Sequence, residues 1–316
     1  MSDTLRKGPE LTSTYTQDIV FTDSARQAWE CAIRTIQHVN VNDLCILLPA
    51  YIGQTDREGS GIFDPIRNTK VRYKFYALDE KLKPDLNAIR QAIESSKIDV
   101  LLIVHYFGFQ LCDMLAIQKL CSENSVCLIE DCAHVCFSVR DGLGSYGDFS
   151  FYSLHKFFPT ESGGVLRINQ NEWVEFANEN ANQLECSTNV LQQLLRTDLD
   201  QVRNHRIECF RHLASALSSN SKLKPLYDAE DLKFTSAPHN FPIVIADDQR
   251  EPLYFWLNEQ GFVTIALYYQ MIDELSSNEF PLSFSISNSI LNLPVHQDTS
   301  IKQLDALTQK IGEYFG

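Results

Sequence analysis

The feature of this sequence that most constrains its fold is a series of short, continuous apolar runs separated by segments of helical periodicity. A short apolar run bounded by polar or turn-forming residues suits a strand that is buried on both faces. The runs are LCILLPAY (44–51), VRYKFYAL (71–78), DVLLIVHYF (99–107), VCLIED (126–131) and DFSFYSL (148–154). Because strands alternate with helices, the pattern predicts an α/β fold with a mostly parallel sheet flanked by helices.

Helical periodicity is clear in three segments of the first half. Residues 22–36 (TDSARQAWECAIRTI) repeat apolar side chains at helical spacing, and either Thr22 or Asp23 can cap the helix. Segments 86–96 and 113–124 have the same periodicity and lie between predicted strands. They supply the helices that a parallel sheet needs on its faces.

The pattern changes after residue 170. Residues 188–217 predict one long or slightly bent helix that could link two domains. Beyond it, NFPIVIAD (240–247), a helix over PLYFWLNEQ ended by Gly261, FVTIALYY (262–269) and SILNLPVH (289–296) predict a small α+β domain. Since 316 residues exceed the usual size of one domain, we expect a large domain over 1–205 and a small one over 206–316.

Charge and composition exclude several classes of partner. The net charge of -14 disfavours binding to nucleic acid or to an anionic membrane surface, and no apolar run approaches the roughly 20 residues of a membrane span. The N-terminal sequence lacks the apolar region of a secretory signal, so we expect a cytoplasmic protein. The nine cysteines are scattered without CxxC pairs, which favours small core residues over a metal site.

The predicted sheet identifies candidate ligand-binding residues. In sheets of this kind, ligands bind beyond the carboxyl ends of the strands. Four strand ends and the start of one helix therefore converge on one edge: Pro49–Tyr51, His105–Gly108, Asp131–His134 and Ser153–Lys156, together with Ser24.

Asp131 and Lys156 are more informative together than alone. Asp131 alone could cap the following helix, and Lys156 alone could be a surface residue that ends a strand. As a pair they form a strand-terminal aspartate followed about 25 residues later by a lysine, then by a Gly-Gly turn into the apolar run VLRI. This is the arrangement that a pyridoxal phosphate site requires.

The motifs around this pair resemble the DegT/DnrJ/StrS sugar aminotransferases, a family of fold-type I pyridoxal phosphate enzymes. IEDCAH is similar to the family's EDAAQ or EDAAH segment, GDFSFYSLHK to the run that leads to its Schiff-base lysine, and PTESGGVL to its TGEGG turn. LLPAY, VHYFG, DSARQAW and ILNLPVH extend the similarity to about residues 20–300. The resemblance implies pyridoxal phosphate as cofactor and a homodimer as the working unit.

The resemblance also implies catalytic roles. Lys156 would bind the cofactor covalently and later carry a proton between substrate and cofactor. A lysine close to a cationic cofactor in a dry pocket has a lowered pKa, which frees its amine to act as nucleophile and base. Asp131 would keep the pyridine nitrogen protonated, and His134 would assist at the ring or be a helix-surface histidine.

Other positions would hold the rest of the cofactor. Ser153 matches the serine before the family's lysine, and Ser24 with the amide of Ala25 would bind the phosphate at a helix N-terminus, where the dipole favours an anion. A serine at that place is also a common helix cap. Tyr51 would cover the ring face or belong to the core, and His105 would face the substrate or be a core histidine.

The sequence departs from the family's pattern at three places. The G-Y-N-x-R segment that normally reaches the neighbouring subunit is replaced by NQLECSTNVLQQL, in which Asn182 and Asn189 are possible substitutes. Ser162 directly precedes Gly163, so the glutamate of TGEGG is displaced to Glu161.

The third departure is the histidine beside the lysine. Some members of the family carry histidine in place of the lysine and act as dehydratases, and a slip of one residue would give that role to His155. Lys156 is favoured because its distance to the Gly-Gly turn fits the family and only an amine can bind the cofactor covalently.

The sequence therefore predicts a pyridoxal-phosphate-dependent aminotransferase. The expected substrate is a keto sugar attached to a nucleotide, and the expected amino donor is glutamate. The alternatives are a dehydratase or an aminotransferase of non-sugar ketones and, from a different class, a non-catalytic homologue that serves as a binding or scaffolding subunit.

Overall fold

The computed structural model describes residues 18–40, 43–57, 59–138, 142–181 and 188–316, without the side chains of residues 40, 181, 188 and 189. The elements of the first half are β1 (Ile19–Thr22), α1 (Ala25–Asn40), β2 (Cys45–Pro49), α2 (Phe63–Thr69), β3 (Arg72–Tyr76), α3 (Leu86–Ser95), β4 (Val100–Val104), α4 (Met114–Glu123), β5 (Cys127–Cys132), β6 (Phe149–Ser153) and β7 (Gly164–Ile168). All five strands predicted from apolar runs are therefore present.

Seven strands form one sheet in the order β1-β7-β6-β5-β4-β2-β3. The pairs from β3 through β2, β4 and β5 to β6 are parallel, whereas β7 pairs antiparallel with both β6 and β1. All five residues of β2 and all five of β4 are buried, as expected for strands covered by helices on both faces. The prediction of a mostly parallel α/β sheet is confirmed.

The second half adds helices and a smaller sheet. Its elements are α5 (Val174–Ala181), α6 (Thr188–Arg196), α7 (Leu199–Ala216), β8 (Leu223–Pro225), β9 (Phe241–Ile245), α8 (Arg250–Glu259), α9 (Pro281–Ser289), β10 (Ile290–Leu293) and α10 (Ile301–Phe315). β10, β9 and β8 form a three-stranded antiparallel sheet, so the expected α+β organisation is present. The predicted boundary at residue 205 falls within α7, and the division into domains stays a prediction.

Two segments differ from the sequence prediction. The single helix expected over 188–217 is divided into α6 and α7, because Asp198 is extended (φ -77°, ψ 97°) and accepts the Gln201 N–H as the cap of a new helix. The segment FVTIALYY (262–269) does not form a regular strand. Within it only Ile265 pairs, through an isolated bridge to Asn292, and the φ of 63° at Tyr268 lies outside the extended region. Among the described residues, none of the helices combines the length and apolar character of a bilayer span.

Candidate active site

The carboxyl ends of β5 and β6 place the candidate residues on the sheet face that α1 covers. Asp131 is the register partner of Phe151, and the Phe151 ring stacks on Trp29 of α1 with 5.5 Å between ring centroids. Because side chains alternate along a strand, Ser153 shares this face and Glu130 lies on the other. The sheet therefore separates two neighbouring carboxylates into different surroundings.

Asp131 lies in an apolar environment. It is 5% exposed, and its Oδ1 accepts the Ala133 N–H at 2.8 Å. Burial raises the pKa of Asp131 to about 6, against the lowering effects of that N–H and of the charges of Lys156 and His105. The carboxylate is thus best stabilised in its charged form by a nearby cation.

Lys156 has a complementary environment. It ends a single 3₁₀ turn, Leu154–Lys156, directly after β6, and its side chain is partly buried. Burial lowers the pKa of Lys156 from 10.5 to about 8, while the charge of Asp131 acts in the opposite direction. Near pH 8 about half of this amine is unprotonated and able to act as a nucleophile, far more than for an ordinary lysine.

His155, the adjacent histidine, is exposed. Its Nδ1 lies 3.2 Å from the Ser153 Oγ, and its ring lines a cavity of about 430 Å³ together with Glu161 and His296. Asp131 influences the pKa of Lys156, the residue that the sequence favoured.

His134 is a buried, neutral histidine near the lysine. Its Nδ1 accepts the Phe107 N–H at 3.1 Å, which leaves the ring proton on Nε2. Burial, followed by the charge of Lys156, lowers the pKa of His134 well below its usual range. The ring stacks on His239 with 4.5 Å between centroids and 15° between planes. His134 is therefore a fixed hydrogen-bond donor and not a surface residue.

Ser24, Ala25 and Ser153 meet around Gly164. Gly164 is the register partner of Ser153, and a Cβ at this position would meet the backbone of Ser24 and would lie 2.5 Å from the Ala25 nitrogen. Ser24 Oγ accepts the Gln27 N–H at 3.3 Å, so it also serves as a helix cap. The N-terminus of α1, with its dipole, therefore lies against the backbone of Gly164, next to the strand that ends at Ser153, and a helix N-terminus favours an anion.

Tyr51 and His105 are both core residues. Tyr51 is fully buried, its ring lies 5.2 Å from that of Tyr268, and within the described residues its hydroxyl makes no hydrogen bond. His105 is 1% exposed and lies 2.8 Å from Glu130 on the opposite sheet face from Asp131, so it does not face a substrate at the Asp131 site.

One cluster on that opposite face has the composition of a metal site. His105, Glu130 and Cys132 present ligand atoms within 4.8 Å of one another. Glu130 is already engaged by His105 through Oε2 and by the backbone N–H groups of Tyr146 and Gly147 through Oε1. We therefore assign the cluster a structural role. Asn182 and the side chain of Asn189 lie outside the described residues.

Sequence reasoning missed the aromatic residue beside Asp131. The Tyr268 ring lies 6.0 Å from that of His134, and burial followed by the charge of Asp131 raises the Tyr268 pKa. A Cβ at Gly53 would lie 2.7 Å from Tyr268 Cδ1, so only glycine leaves room for this ring. No local pattern indicates such a contact between residues more than 200 positions apart.

The assembled groups match the chemistry of pyridoxal phosphate. An amine with a lowered pKa, an acid in need of a cation and a helix N-terminus flanked by hydroxyls correspond to its aldehyde, ring nitrogen and phosphate. The donors therefore fit the cofactor that the sequence motifs suggested.

Comparison with known proteins gives the same assignment. The model of the DegT/DnrJ/EryC1/StrS aminotransferase family matches residues 66–183 and 173–312, most of the chain. The chain belongs to this family. Aminotransferases of the DegT/DnrJ/EryC1/StrS family depend on pyridoxal phosphate.

Individual relatives are distant. The chain is 23% identical over 264 residues to a dTDP-3-amino-3,6-dideoxy-alpha-D-galactopyranose transaminase from Aneurinibacillus thermoaerophilus, covering 74% of this chain and 72% of the relative. It is 23% identical to GDP-perosamine synthase from Vibrio cholerae, covering 75% and 71%. An aminotransferase structure from Psychrobacter cryohalolentis has a TM-score of 0.76 at 14% identity and covers 94% of this chain and 87% of its own. This structural likeness shows the shared fold.

Proposed function

We propose that this protein transfers an amino group to a keto sugar carried on a nucleotide, with Lys156 and Asp131 as its catalytic residues. The observation that carries the proposal is the opposite perturbation of these two residues, a raised pKa for the acid and a lowered pKa for the amine at one sheet edge. Such a pair is typical of a functional site. When bound, pyridoxal phosphate supplies an electron sink for the carbon that gains or loses the amino group.

Lys156 and Asp131 have distinct tasks. The Nζ of Lys156 would hold the cofactor and would move a proton to or from the substrate carbon, because its lowered pKa suits a general base near neutral pH. The Asp131 carboxylate would stabilise a proton on the ring nitrogen. Ala133 supports it by fixing Oδ1 through a backbone N–H.

The remaining residues hold and orient. His134 donates from Nε2 while Phe107 and His239 fix its ring. Ser153, Ser24 and the Ala25 amide would hold the phosphate. Tyr51 packs against the ring of Tyr268, the aromatic residue beside Asp131.

The nucleotide-sugar substrate is supported by the names of the two relatives, which act on a dTDP-linked sugar or are named for a GDP-linked one. We propose glutamate as amino donor and a homodimer as the working unit. A stable interface of this class buries more than about 2,000 Å², so a monomer in solution would contradict that part of the proposal.

The test is an amino-transfer assay with the purified full chain, pyridoxal phosphate, glutamate labelled with ¹⁵N, and dTDP- and GDP-linked keto sugars. The expected result is a nucleotide sugar that carries the label, detected by mass spectrometry and absent with Lys156→Ala. The absence of a labelled nucleotide sugar, together with transfer of the label to a non-sugar ketone supplied in a parallel reaction, would refute the substrate class. Formation of an unlabelled deoxy sugar would instead indicate dehydration.

A further inference from the structure

A fully buried arginine lies directly behind the Lys156 turn. Arg206 of α7 is 0% exposed, and burial lowers its pKa to about 10. A guanidinium removed from water is costly unless its donors are satisfied, so its hydrogen bonds indicate what the position requires.

The Arg206 donors connect three separate segments. Nη2 donates to the Lys156 carbonyl at 2.6 Å, and Nη1 donates to the carbonyls of Pro238 and His239 at 3.2 and 3.1 Å. Nε donates to Gln297 Oε1 at 3.0 Å. This geometry uses the planar fork of an arginine and could not be reproduced by the single ammonium group of a lysine.

Further contacts around the guanidinium involve Phe157 and Gln297. The group lies over the Phe157 ring, 4.3 Å from its centroid, and Gln297 Nε2 donates to the Phe157 carbonyl at 3.2 Å. His239, whose carbonyl accepts from Arg206, stacks on His134 and donates its N–H to the Phe107 carbonyl at 2.8 Å. One side chain thus fixes the backbone that carries the amine and the backbone that supports the histidine pair.

We propose that Arg206 is a positioning residue for Lys156. By holding the Lys156 carbonyl and the Phe157 ring, it keeps the turn closed and directs the amine towards Asp131. It also excludes water, which would otherwise solvate the ammonium form of Lys156. The inference deepens the proposed function and rests on it for its catalytic meaning, although the state of Lys156 can be measured without cofactor.

The test compares Arg206→Lys, which keeps the charge but loses the fork, with Gln297→Met, which keeps the arginine but removes two of the surrounding hydrogen bonds. Arg211→Lys is the matched control, because Arg211 is exposed on the same helix. Each full-length protein is checked for folding by circular dichroism and thermal melting. The cofactor-free proteins are then acylated briefly at a series of pH values, and modification of Lys156 is quantified by peptide mass spectrometry.

For Arg206→Lys we expect the midpoint of Lys156 acylation to rise by about one pH unit, because water would reach Lys156 and weaken the burial that lowers its pKa. The dissociation constant for pyridoxal phosphate should rise about tenfold. Gln297→Met should show a smaller change in the same direction, and Arg211→Lys none.

An unchanged acylation midpoint in folded Arg206→Lys would overturn the inference. If that variant does not fold, an unchanged midpoint in Gln297→Met would do so. The proposed function fails separately, when the wild-type protein shows the lowered midpoint but borohydride attaches no pyridoxal phosphate to Lys156.

Discussion

Replacing Lys156 with methionine should stabilise the cofactor-free protein near neutral pH. The fold holds this lysine at a pKa of about 8, against 10.5 in an ordinary environment, and burial is the chief cause. Below about pH 8 the folded protein therefore carries an ammonium in a place that disfavours it. Methionine has a similar length and no charge, so it removes this cost.

The magnitude follows from the same values. A fall from 10.5 to about 8 corresponds to about 3 kcal/mol of unfolding free energy, at about 1.4 kcal/mol per pKa unit. The gain is reduced because Asp131 loses the nearby charge that lowers its own pKa. We expect a net stabilisation of about 1–3 kcal/mol at pH 7.

The pH dependence has a defined sign. Between about pH 8 and 10.5 the unfolded chain binds more protons at this lysine than the folded protein does, so wild-type stability rises with pH across that window. The advantage of the methionine variant should therefore be largest below pH 8 and should vanish near pH 10.5.

The assay is urea unfolding of the cofactor-free proteins at several pH values, followed by tryptophan fluorescence. Lys302→Met, at an exposed position of α10, is the control and should change the unfolding free energy little. A Lys156→Met variant that is less stable than wild type at pH 7, or whose gain does not depend on pH, would refute the reasoning.

Three further predictions follow from the site. Asp131→Asn should still attach pyridoxal phosphate at Lys156 but lose about 100-fold or more in turnover, because a neutral amide cannot stabilise a protonated ring nitrogen; near-normal turnover would remove Asp131 from this role. Gly164→Ala should lower the unfolding free energy by about 1–3 kcal/mol or more and weaken phosphate binding, because its Cβ would enter the backbone at Ser24 and Ala25, whereas Gly312→Ala on α10 meets nothing within 4 Å and should be neutral or stabilising in a melting experiment. His155→Asn should reduce turnover only mildly, because His155 is exposed whereas Lys156 is the group that Asp131 influences, and complete inactivation would transfer the central role to it.

The sequence was sufficient where local signals determine the structure. Apolar runs identified the parallel strands, and the rule that ligands bind beyond their carboxyl ends selected Asp131 and Lys156. Alternation along β5 explains why Asp131 enters the site while Glu130 enters the opposite face, where it holds His105. The sequence left the place of His105 open, because it depends on which sheet face its neighbours occupy.

Residues determined by distant contacts escaped prediction. Tyr268 reaches Asp131 from a segment that looks like a strand, and the glycine that makes room for it is Gly53. Arg206 looks like an ordinary polar residue of an amphipathic helix, yet its donors are satisfied by Lys156, Pro238, His239 and Gln297. The break between α6 and α7 depends on one cap, Asp198, in a sequence whose helical periodicity is otherwise continuous.

The most direct test of the central claim is the visible spectrum of the purified full chain with pyridoxal phosphate, before and after borohydride, followed by peptide mapping. The account predicts an absorption band that borohydride removes, with the cofactor then fixed on Lys156 and with loading that rises through about pH 8. No band, or a label on another lysine, would contradict the assignment of Lys156 as the residue that binds the cofactor.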